Sequence, residues 1–463
     1  MKVKRRFIGF TIIFAMIIIF MSFHHRVDYD FFRKNTKSIV FAIGTEPITL
    51  DPKYAEDIES AKVIVNIYDG LVRYKENTTE IEPSLATKWD ISEDEREYIF
   101  YLRKGVKFHD GTEFNAYSVR ESIIRQLNFK EASTINYFKR IFKNLININI
   151  IDDYTVKIIL KDKDPQFLSN LAMPYSAPIV SPRAIKKYGD KYFKHPVGTG
   201  AFKFVSWKKG EAIVLKKNNN YWGEKAKVER LVFTFIKKNP QRVAKFMTKD
   251  VDVVDNLDST SIMDIEKAGG KILQQKGDNI NYVKFNYLKY PLNNFNLRRA
   301  ICSAINREKI MKKFYNGYST TIKDGILYNP QLSIETLQEL NLDNLSIKMI
   351  IYSNPTSYNT IGERLAEYVQ QNLLEVGIRA TIEVFPWDKY HEKINQGDWD
   401  IMFYGCIGEY ECDYIKEVFM KNNICFPICN SKKILAYSDK ILGLQYHPTG
   451  IIFLIRYQLK NKI

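Results

Sequence analysis

Short runs in which apolar and polar residues alternate recur along the chain and predict β-strands. They lie at residues 39–43, 98–102, 145–160, 202–207, 212–216, 231–236, 251–256, 347–352, 378–385 and 400–404. Apolar residues at helical spacing predict helices at residues 60–68, 116–125, 164–170, 240–247, 296–316 and 361–376. The strand, helix and strand between residues 347 and 385 have the order of a βαβ unit. The pattern therefore predicts an α/β lobe with a mixed sheet.

One segment carries an especially clear turn signal. Gly198 and Gly200 bracket Thr199, a spacing that is typical of a tight turn. The alternating runs at residues 202–207 and 212–216 follow directly, with a short polar connection between them. We therefore predict a β-hairpin that is entered through a glycine turn.

A basic leader and an apolar run open the chain. Residues 1–6 carry four basic side chains, and residues 7–23 are almost wholly apolar. A helix of that length spans roughly 26 Å, near the lower limit for crossing a bilayer. Residues 21–25 offer neither a lipid-modifiable Cys nor a small-residue cleavage site. We predict a membrane anchor that places the rest of the chain outside the cell, with a cleaved and secreted form as the alternative.

Composition and charge narrow the class of protein. The chain has 463 residues, of which 45% are hydrophobic, enough for two or three domains with full cores. The formal net charge is +16, but Lys and Arg are scattered and form no Arg-rich helix. The sequence also lacks the aromatic motif of an RNA-binding sheet. We therefore predict no nucleic-acid partner.

The five cysteines do not have the spacing of a zinc site. None lies in the first 300 residues, and no His stands near the last four. We predict unpaired, buried thiols, with a disulfide among the last four as the alternative. The residues are Cys302, Cys406, Cys412, Cys425 and Cys429.

The sequence contains no arrangement of side chains typical of catalysis or of a bound cofactor. Ser206 and Lys209 have the Ser-x-x-Lys spacing of one class of serine hydrolases, but they lie at the predicted hairpin turn instead of opening a helix. His109 stands beside Asp110 without a neighbouring nucleophile or metal ligand. We predict that its imidazole is bound by the backbone of a turn, and that the protein is not an enzyme.

Several segments in a fixed order resemble signature segments of the extracytoplasmic solute-binding proteins of family 5, which serve ABC importers of oligopeptides, dipeptides and nickel. The most specific is residues 102–111, Leu-Arg-Lys-Gly-Val-Lys-Phe-His-Asp-Gly. Ala201 stands where the family usually has Pro, and Asn306 where it has Asp. The other segments are residues 44–52, 68–71, 83–92, 196–222 and 298–307.

The resemblance implies a mixed α/β, two-lobed periplasmic-binding-protein-like fold of class II, with an extra small domain, after the N-terminal membrane helix. The first lobe would combine residues 38–58, 190–275 and 424–463. The extra domain would span residues 59–189, and the second lobe residues 276–423. Compared with the family, the second lobe is shortened near residues 411–423.

The resemblance also implies a ligand site on the second lobe. Residues 405–410 take the place of the family segment whose acid meets the terminal ammonium of a bound peptide, and Glu409 takes the position of that acid. Gly405, Cys406 and Ile407 accompany it, and Cys406 stands where the family has an aromatic residue. Trp387 resembles the family's pocket tryptophan. Glu46 lies in the opening turn that lines the cleft.

The implied function is the capture of oligopeptides or dipeptides, by a monomer at the outer face of the cell membrane, for delivery to ABC permease subunits. The shortened second lobe keeps an alternative open, a degenerate paralogue that binds nothing or a membrane-tethered sensor. Binding of nickel or another small solute is a second alternative.

Overall fold

The computed structural model describes a chain of many short strands and few long helices. It covers residues 37–459 except 56, 76–77, 128–140, 174–176, 276–278, 323, 343, 354–358, 360, 408–421, 448–450, 453 and 455–457.

The described strands are β1 Ser38–Ile43, β2 Val72–Tyr74, β3 Ile81–Pro83, β4 Ala86–Ile91, β5 Glu97–Leu102, β6 Leu145–Asp152, β7 Thr155–Leu160, β8 Phe202–Lys208, β9 Ala212–Lys217, β10 Arg230–Phe235, β11 Val253–Val254, β12 Lys271–Gln275, β13 Asn279–Phe285, β14 Ser319–Thr320, β15 Ser346–Tyr352, β16 Arg379–Phe385, β17 Ile401–Ile407, β18 Cys425–Ser431, β19 Lys433–Tyr437, β20 Ile441–Leu442 and β21 Gln458–Leu459. The described α-helices are α1 Ile58–Ile67, α2 Ala116–Leu127, α3 Phe167–Ala172, α4 Pro182–Tyr188, α5 Asn239–Met247, α6 Ile262–Lys267, α7 Phe295–Ala304, α8 Arg307–Ile310, α9 Pro330–Glu339, α10 Glu363–Glu375 and α11 Trp387–Gln396.

β1 is the middle strand of a seven-stranded sheet with the order β12-β19-β11-β1-β10-β9-β8. It pairs in parallel with β10 and with β11. All its residues are buried, because both faces of the sheet are covered. Ile39, Phe41 and Ile43 pack into one apolar cluster, and Val40 and Ala42 pack into another. β8 and β9 pair as the predicted hairpin. We call this sheet with α1, α4, α5 and α6 the first lobe.

A second sheet has the order β14-β18-β13-β17-β15-β16. β15 pairs in parallel with β16, and α10 connects them, so the predicted βαβ unit is confirmed. Met349 and Ile351 of β15 share a core with Leu365 and Val369 of α10. We call this sheet with α7 to α11 the second lobe.

The remaining large sheet is antiparallel and has the order β4-β5-β7-β6. The predicted strand pair at residues 145–160 is confirmed as β6 and β7. The sheet has its own core, in which Phe100 and Ile158 pack with Ile123 of α2. α1 falls within the extra domain that the sequence predicts, but Val63 and Ile64 pack into the core of the first lobe.

The single helix predicted at residues 296–316 is wrong, because the structure divides it. α7 ends at Ala304, and Ile305 is extended with φ −88° and ψ 115°. The side chain of Asn306 then accepts a hydrogen bond from the backbone N–H of Lys309 and starts α8. A π-helical turn at Met311–Tyr315 follows. The helical spacing of apolar residues continues through the break, so the sequence pattern alone does not reveal it.

The chain returns to the first lobe later than the predicted residue 424. β18 pairs with β13 and β14 in the second sheet, whereas β19 pairs with β11 and β12 in the first. The return therefore falls between Ser431 and Lys433. The predicted shortening lies between β17 and β18, and the sheet that contains both has six strands.

Across the part of the chain that the structure describes, no helix has the length and the apolar character needed to span a bilayer. The membrane segment predicted at residues 7–23 lies outside the described residues and stays a prediction.

Candidate functional site

The two lobes face each other along one edge of each sheet. Gln275, at the end of β12, pairs with Lys433, at the start of β19, and so marks this edge of the first sheet. In the second sheet Asn279, at the start of β13, pairs with Ile407, at the end of β17. The chain thus crosses between the lobes twice at these edges. The parallel strands of both sheets also end there, which is where ligands bind in open α/β sheets.

Trp387 opens α11 directly after β16 and lies at this edge of the second lobe. Its ring makes an edge contact with Tyr352, the last residue of β15, at 5.1 Å between ring centroids. It stacks on Tyr390 at 6.0 Å and on Tyr404 of β17 at 6.1 Å. The indole is only partly buried. These neighbours fix its orientation, and part of its surface remains exposed.

The predicted site residues Gly405, Cys406 and Ile407 form the end of β17 and pair with residues 279–281 of β13. Cys406 is fully buried and packs with Ile280. It is disulfide-bonded, so the predicted unpaired thiol is wrong at this position. Cys302, Cys425 and Cys429 are free and buried, as predicted. The disulfide partner of Cys406 lies outside the described residues.

Glu409, the predicted acid for a peptide ammonium, also lies outside the described residues. The backbone of β17 is described as far as Ile407, at the facing edge of the second lobe. Glu409 follows two residues later in the sequence, and its role stays a prediction.

Glu46 lies in the first lobe just after β1, and its carboxylate is engaged within that lobe. One oxygen accepts a hydrogen bond from the indole N–H of Trp207 at 2.7 Å. Both oxygens accept from the backbone N–H of Gly210, at 3.1 and 3.0 Å. These contacts join the turn of the β8–β9 hairpin to the end of β1. In this arrangement Glu46 shapes the first lobe and has its acceptors occupied.

A cluster of buried charges that the sequence does not reveal lies at the facing edge of the first lobe. Lys62 of α1 forms ion pairs with Glu59, at 2.8 Å, and with Asp255, which follows β11. The side-chain amide of Asn256 donates a hydrogen bond to Glu59 at 3.2 Å. Burial raises the pKa of Glu59 and lowers the pKa of nearby Lys433 to about 8. The paired charges allow the cluster to remain ionised inside the protein.

Polar contacts also join the two lobes directly. Asp258, in the loop after β11, forms an ion pair with Arg364 in the first turn of α10. The hydroxyl of Ser259 donates a hydrogen bond to the carbonyl oxygen of Phe314 at 3.1 Å. The guanidinium of Arg364 also lies over the ring of Phe314. The polar residues that follow the strand predicted at 251–256 could have indicated a contact site there. Nothing in the sequence pattern indicates that Arg364 is the partner of Asp258.

Three of the signature segments, residues 68–71, 102–111 and 196–222, build a junction between the first lobe and the antiparallel sheet β4-β5-β7-β6. Asp69 accepts hydrogen bonds from Thr199, Tyr221 and Trp222 at 2.7, 3.0 and 2.9 Å. Burial raises the pKa of Asp69. A Cβ on Gly198 would lie 2.2 Å from the carbonyl oxygen of Ile67, so only glycine fits. These three segments therefore maintain the fold.

His109 takes part in the same junction. Its Nε2 is 2.8 Å from the carbonyl oxygen of Gly200, and its backbone N–H donates to the carbonyl oxygen of Gly198. The prediction that the backbone binds its imidazole is confirmed. Among the described residues, no group of His, Cys, Asp and Glu side chains is arranged to hold a metal ion.

Two α/β lobes, joined by two crossings at their facing edges, define the class of two-lobed binding proteins that close around a ligand. Comparison with known proteins agrees. The family model for bacterial extracellular solute-binding proteins, family 5, matches residues 80–414. The chain therefore belongs to the family 5 bacterial extracellular solute-binding proteins, which are binding proteins and not enzymes.

Individual relatives are similar over most of their length. The dipeptide-binding protein of Escherichia coli K12 is 30% identical over 384 residues, which cover 74% of this chain and 71% of the relative. The heme-binding protein A of Haemophilus influenzae is 29% identical over 379 residues, which cover 74% of this chain and 69% of the relative.

Solved structures of similar fold include two in complex with peptides. A periplasmic binding protein of Helicobacter pylori, in complex with the peptide STSA, has a TM-score of 0.82 and 25% identity and covers 92% of this chain and 98% of its own. The dipeptide-binding protein of a Pseudoalteromonas species, in complex with Met-Leu, has a TM-score of 0.82 and 22% identity. The match covers 92% of this chain and 100% of the neighbour. The latter likeness concerns the fold alone.

Proposed function

We propose that this protein captures short peptides outside the cytoplasmic membrane and delivers them to an ABC permease. The observation that carries the proposal is the pair of facing lobe edges, with the open part of Trp387 at the edge of the second lobe. A relative named as a dipeptide-binding protein and a structural neighbour in complex with a peptide support peptides as the ligand class. The protein would act as a monomer held at the membrane by residues 7–23.

In the proposed site, Glu409 binds the terminal ammonium of the peptide in a charge-assisted hydrogen bond. Trp387 supplies an apolar wall, and the backbone at Gly405, Cys406 and Ile407 supplies strand-edge polar groups. Glu46 maintains the wall of the first lobe through the β8–β9 turn.

Removal of the charge at Glu409 tests the proposal. Native mass spectrometry of the full-length protein first identifies peptides that it carries, and calorimetry then measures their affinity. We expect Glu409→Gln to weaken binding about tenfold or more, because a neutral amide replaces the charged acceptor. The matched control is Glu375→Gln, an exposed acid at the far end of α10.

Unchanged affinity in Glu409→Gln would show that another group binds the ammonium. A protein that neither carries nor binds any peptide would contradict the proposal as a whole. That result would favour a non-binding paralogue or a membrane-tethered sensor.

A further inference from the structure

A continuous row of aromatic rings crosses the second sheet near its facing edge. Tyr282 of β13 pairs directly across from Tyr404 of β17, with ring centroids 6.1 Å apart. Tyr404 is followed by Trp387 at 6.1 Å, and their planes are only 23° from parallel. Trp387 contacts Tyr352 and Tyr390 on its other side. We call Tyr282, Tyr404, Trp387, Tyr352 and Tyr390 the aromatic row.

The members of the row differ in burial. Tyr282 is 4% exposed, and Tyr352 and Tyr390 are fully buried. Tyr404 and Trp387 are only partly buried, so they form the open part of the row. An open pair of parallel rings that rests on three buried rings is a rigid, apolar surface.

Strand geometry directs Tyr404 away from the helical core of the second lobe. Ile401 and Phe403 of β17 pack into the core that α7 and α10 cover. Met402, Tyr404 and Cys406 point to the opposite face, since side chains alternate along a strand. Tyr404 therefore lies on the same face as Cys406 and next to Trp387.

Neighbouring contacts hold the open rings in place. The hydroxyl of Tyr390 donates a hydrogen bond to the carbonyl oxygen of Phe403, which ties α11 to β17 beside Tyr404. Trp387 is the first residue of α11 and follows β16 with only Pro386 between them. A ligand group that contacts Trp387 and Tyr404 thus meets side chains that are already ordered, which lowers the entropic cost of binding.

We propose that Tyr404 and Trp387 form an apolar subsite that selects peptides with an aromatic or large aliphatic side chain. This inference rests on the proposed function and extends it, because Tyr404 becomes a specificity-determining residue. Aromatic rings favour offset-stacked or edge-on neighbours, and a flat apolar side chain buried on these two rings leaves water. A peptide with only small or polar side chains gains neither contribution.

The test uses full-length protein and an equimolar mixture of Ala-Phe, Ala-Leu, Ala-Ser and Ala-Ala as probes. Native mass spectrometry reports the bound fraction of each peptide, and calorimetry with single peptides gives the affinities. We expect wild-type protein to prefer Ala-Phe and Ala-Leu over Ala-Ala by about tenfold or more, the discrimination that a large apolar group gives in such pockets.

Two substitutions at Tyr404 separate the ring from its hydroxyl. Tyr404→Ala should reduce the preference for Ala-Phe over Ala-Ala about tenfold, because it removes the ring that the large side chain contacts. Tyr404→Phe keeps the ring and should keep the preference. The matched control is Tyr287→Ala, a partly exposed tyrosine just after β13, at the opposite edge of the sheet. Thermal midpoints confirm that each variant is folded.

Each outcome decides the question. Equal binding of Ala-Phe and Ala-Ala by the wild type, or an unchanged preference in Tyr404→Ala, would overturn the subsite while the peptide function stands. If none of the probes binds and no peptide is carried, the peptide function fails and the subsite fails with it. Loss of the preference in Tyr404→Phe as well would show that the ring surface is not the determinant.

Discussion

His109 illustrates at the scale of one residue how burial changes the chemistry of a side chain. Sequence reasoning placed it in a turn bound by the backbone, and the structure agrees. Burial lowers the pKa of its imidazole to about 4, because a charged ring would lose its hydration. The neutral ring at the junction therefore makes folding sensitive to acid.

A pH titration of stability measures this effect. The unfolded chain binds a proton at His109 below about pH 6.5, whereas the folded protein does so only near pH 4. Stability should fall by about 3 kcal/mol from this group as pH drops through that window. His109→Gln should show a shallower loss in urea unfolding between pH 6.5 and 4. The same slope in both proteins would contradict the assignment.

At the scale of an element, the ten residues of α1 have two structural roles. Its apolar side, with Val63 and Ile64, packs into the core of the first lobe. Glu59 and Lys62, one turn apart, join the buried charge cluster with Asp255. Helical spacing predicted a helix at residues 60–68, but nothing in that pattern indicates that Glu59 and Lys62 are buried. Only the packing of α1 against the loop after β11 buries it.

Substitution of Lys62 tests the cluster. Lys62→Met leaves Glu59 and Asp255 buried without their cation, and should lower the free energy of unfolding by about 3–5 kcal/mol at pH 7. The loss should be smaller at pH 5 than at pH 7, because burial raises the pKa of Glu59 and protonation removes its need for the cation. Urea unfolding measures both values.

A surface pair provides the control for that experiment. Lys75 forms an ion pair with Glu80 but is 58% exposed. Lys75→Met should change stability by less than about 1 kcal/mol. Equal losses in the two variants would show that burial does not determine the contribution of Lys62.

At the scale of the whole molecule, the ion pair between Asp258 and Arg364 connects the two lobes, together with the hydrogen bond from Ser259 to Phe314 and the two chain crossings. The acid is nearly buried, whereas the guanidinium is 49% exposed. Salt therefore reaches one side of the pair and screens it. We expect the relative position of the lobes to depend on this contact.

Small-angle scattering on ligand-free protein tests this expectation. Asp258→Asn should increase the radius of gyration above the roughly 23 Å expected for a compact chain of this length. High salt should shift the wild type in the same direction. The control is Arg73→Gln, which breaks an ion pair with Glu82 between β2 and β3; its cation is 42% exposed, close to the 49% of Arg364. If Asp258→Asn is as compact as the wild type, the pair does not hold the lobes together.

Most of the local elements could be predicted from the amino-acid sequence alone. Alternation predicted β1, β5 and the β8–β9 hairpin, and helical spacing predicted α2 and α10, because side-chain direction repeats with a period set by the backbone. The same logic failed at Ile305 and Asn306, where a capping side chain interrupts an apolar repeat that continues beyond it. The resemblance in the signature segments also indicated the family before the fold was known.

Which side chains meet depends on the three-dimensional packing of the elements. Glu46 was assigned to the cleft wall, yet Trp207 and Gly210 occupy its carboxylate. Asp258 and Arg364 are 106 positions apart, and Tyr404 of β17 meets Trp387 at the start of α11. Such partners depend on strand register and on how whole elements pack. Local sequence patterns carry the direction of each side chain, but not the distance between residues from separate elements.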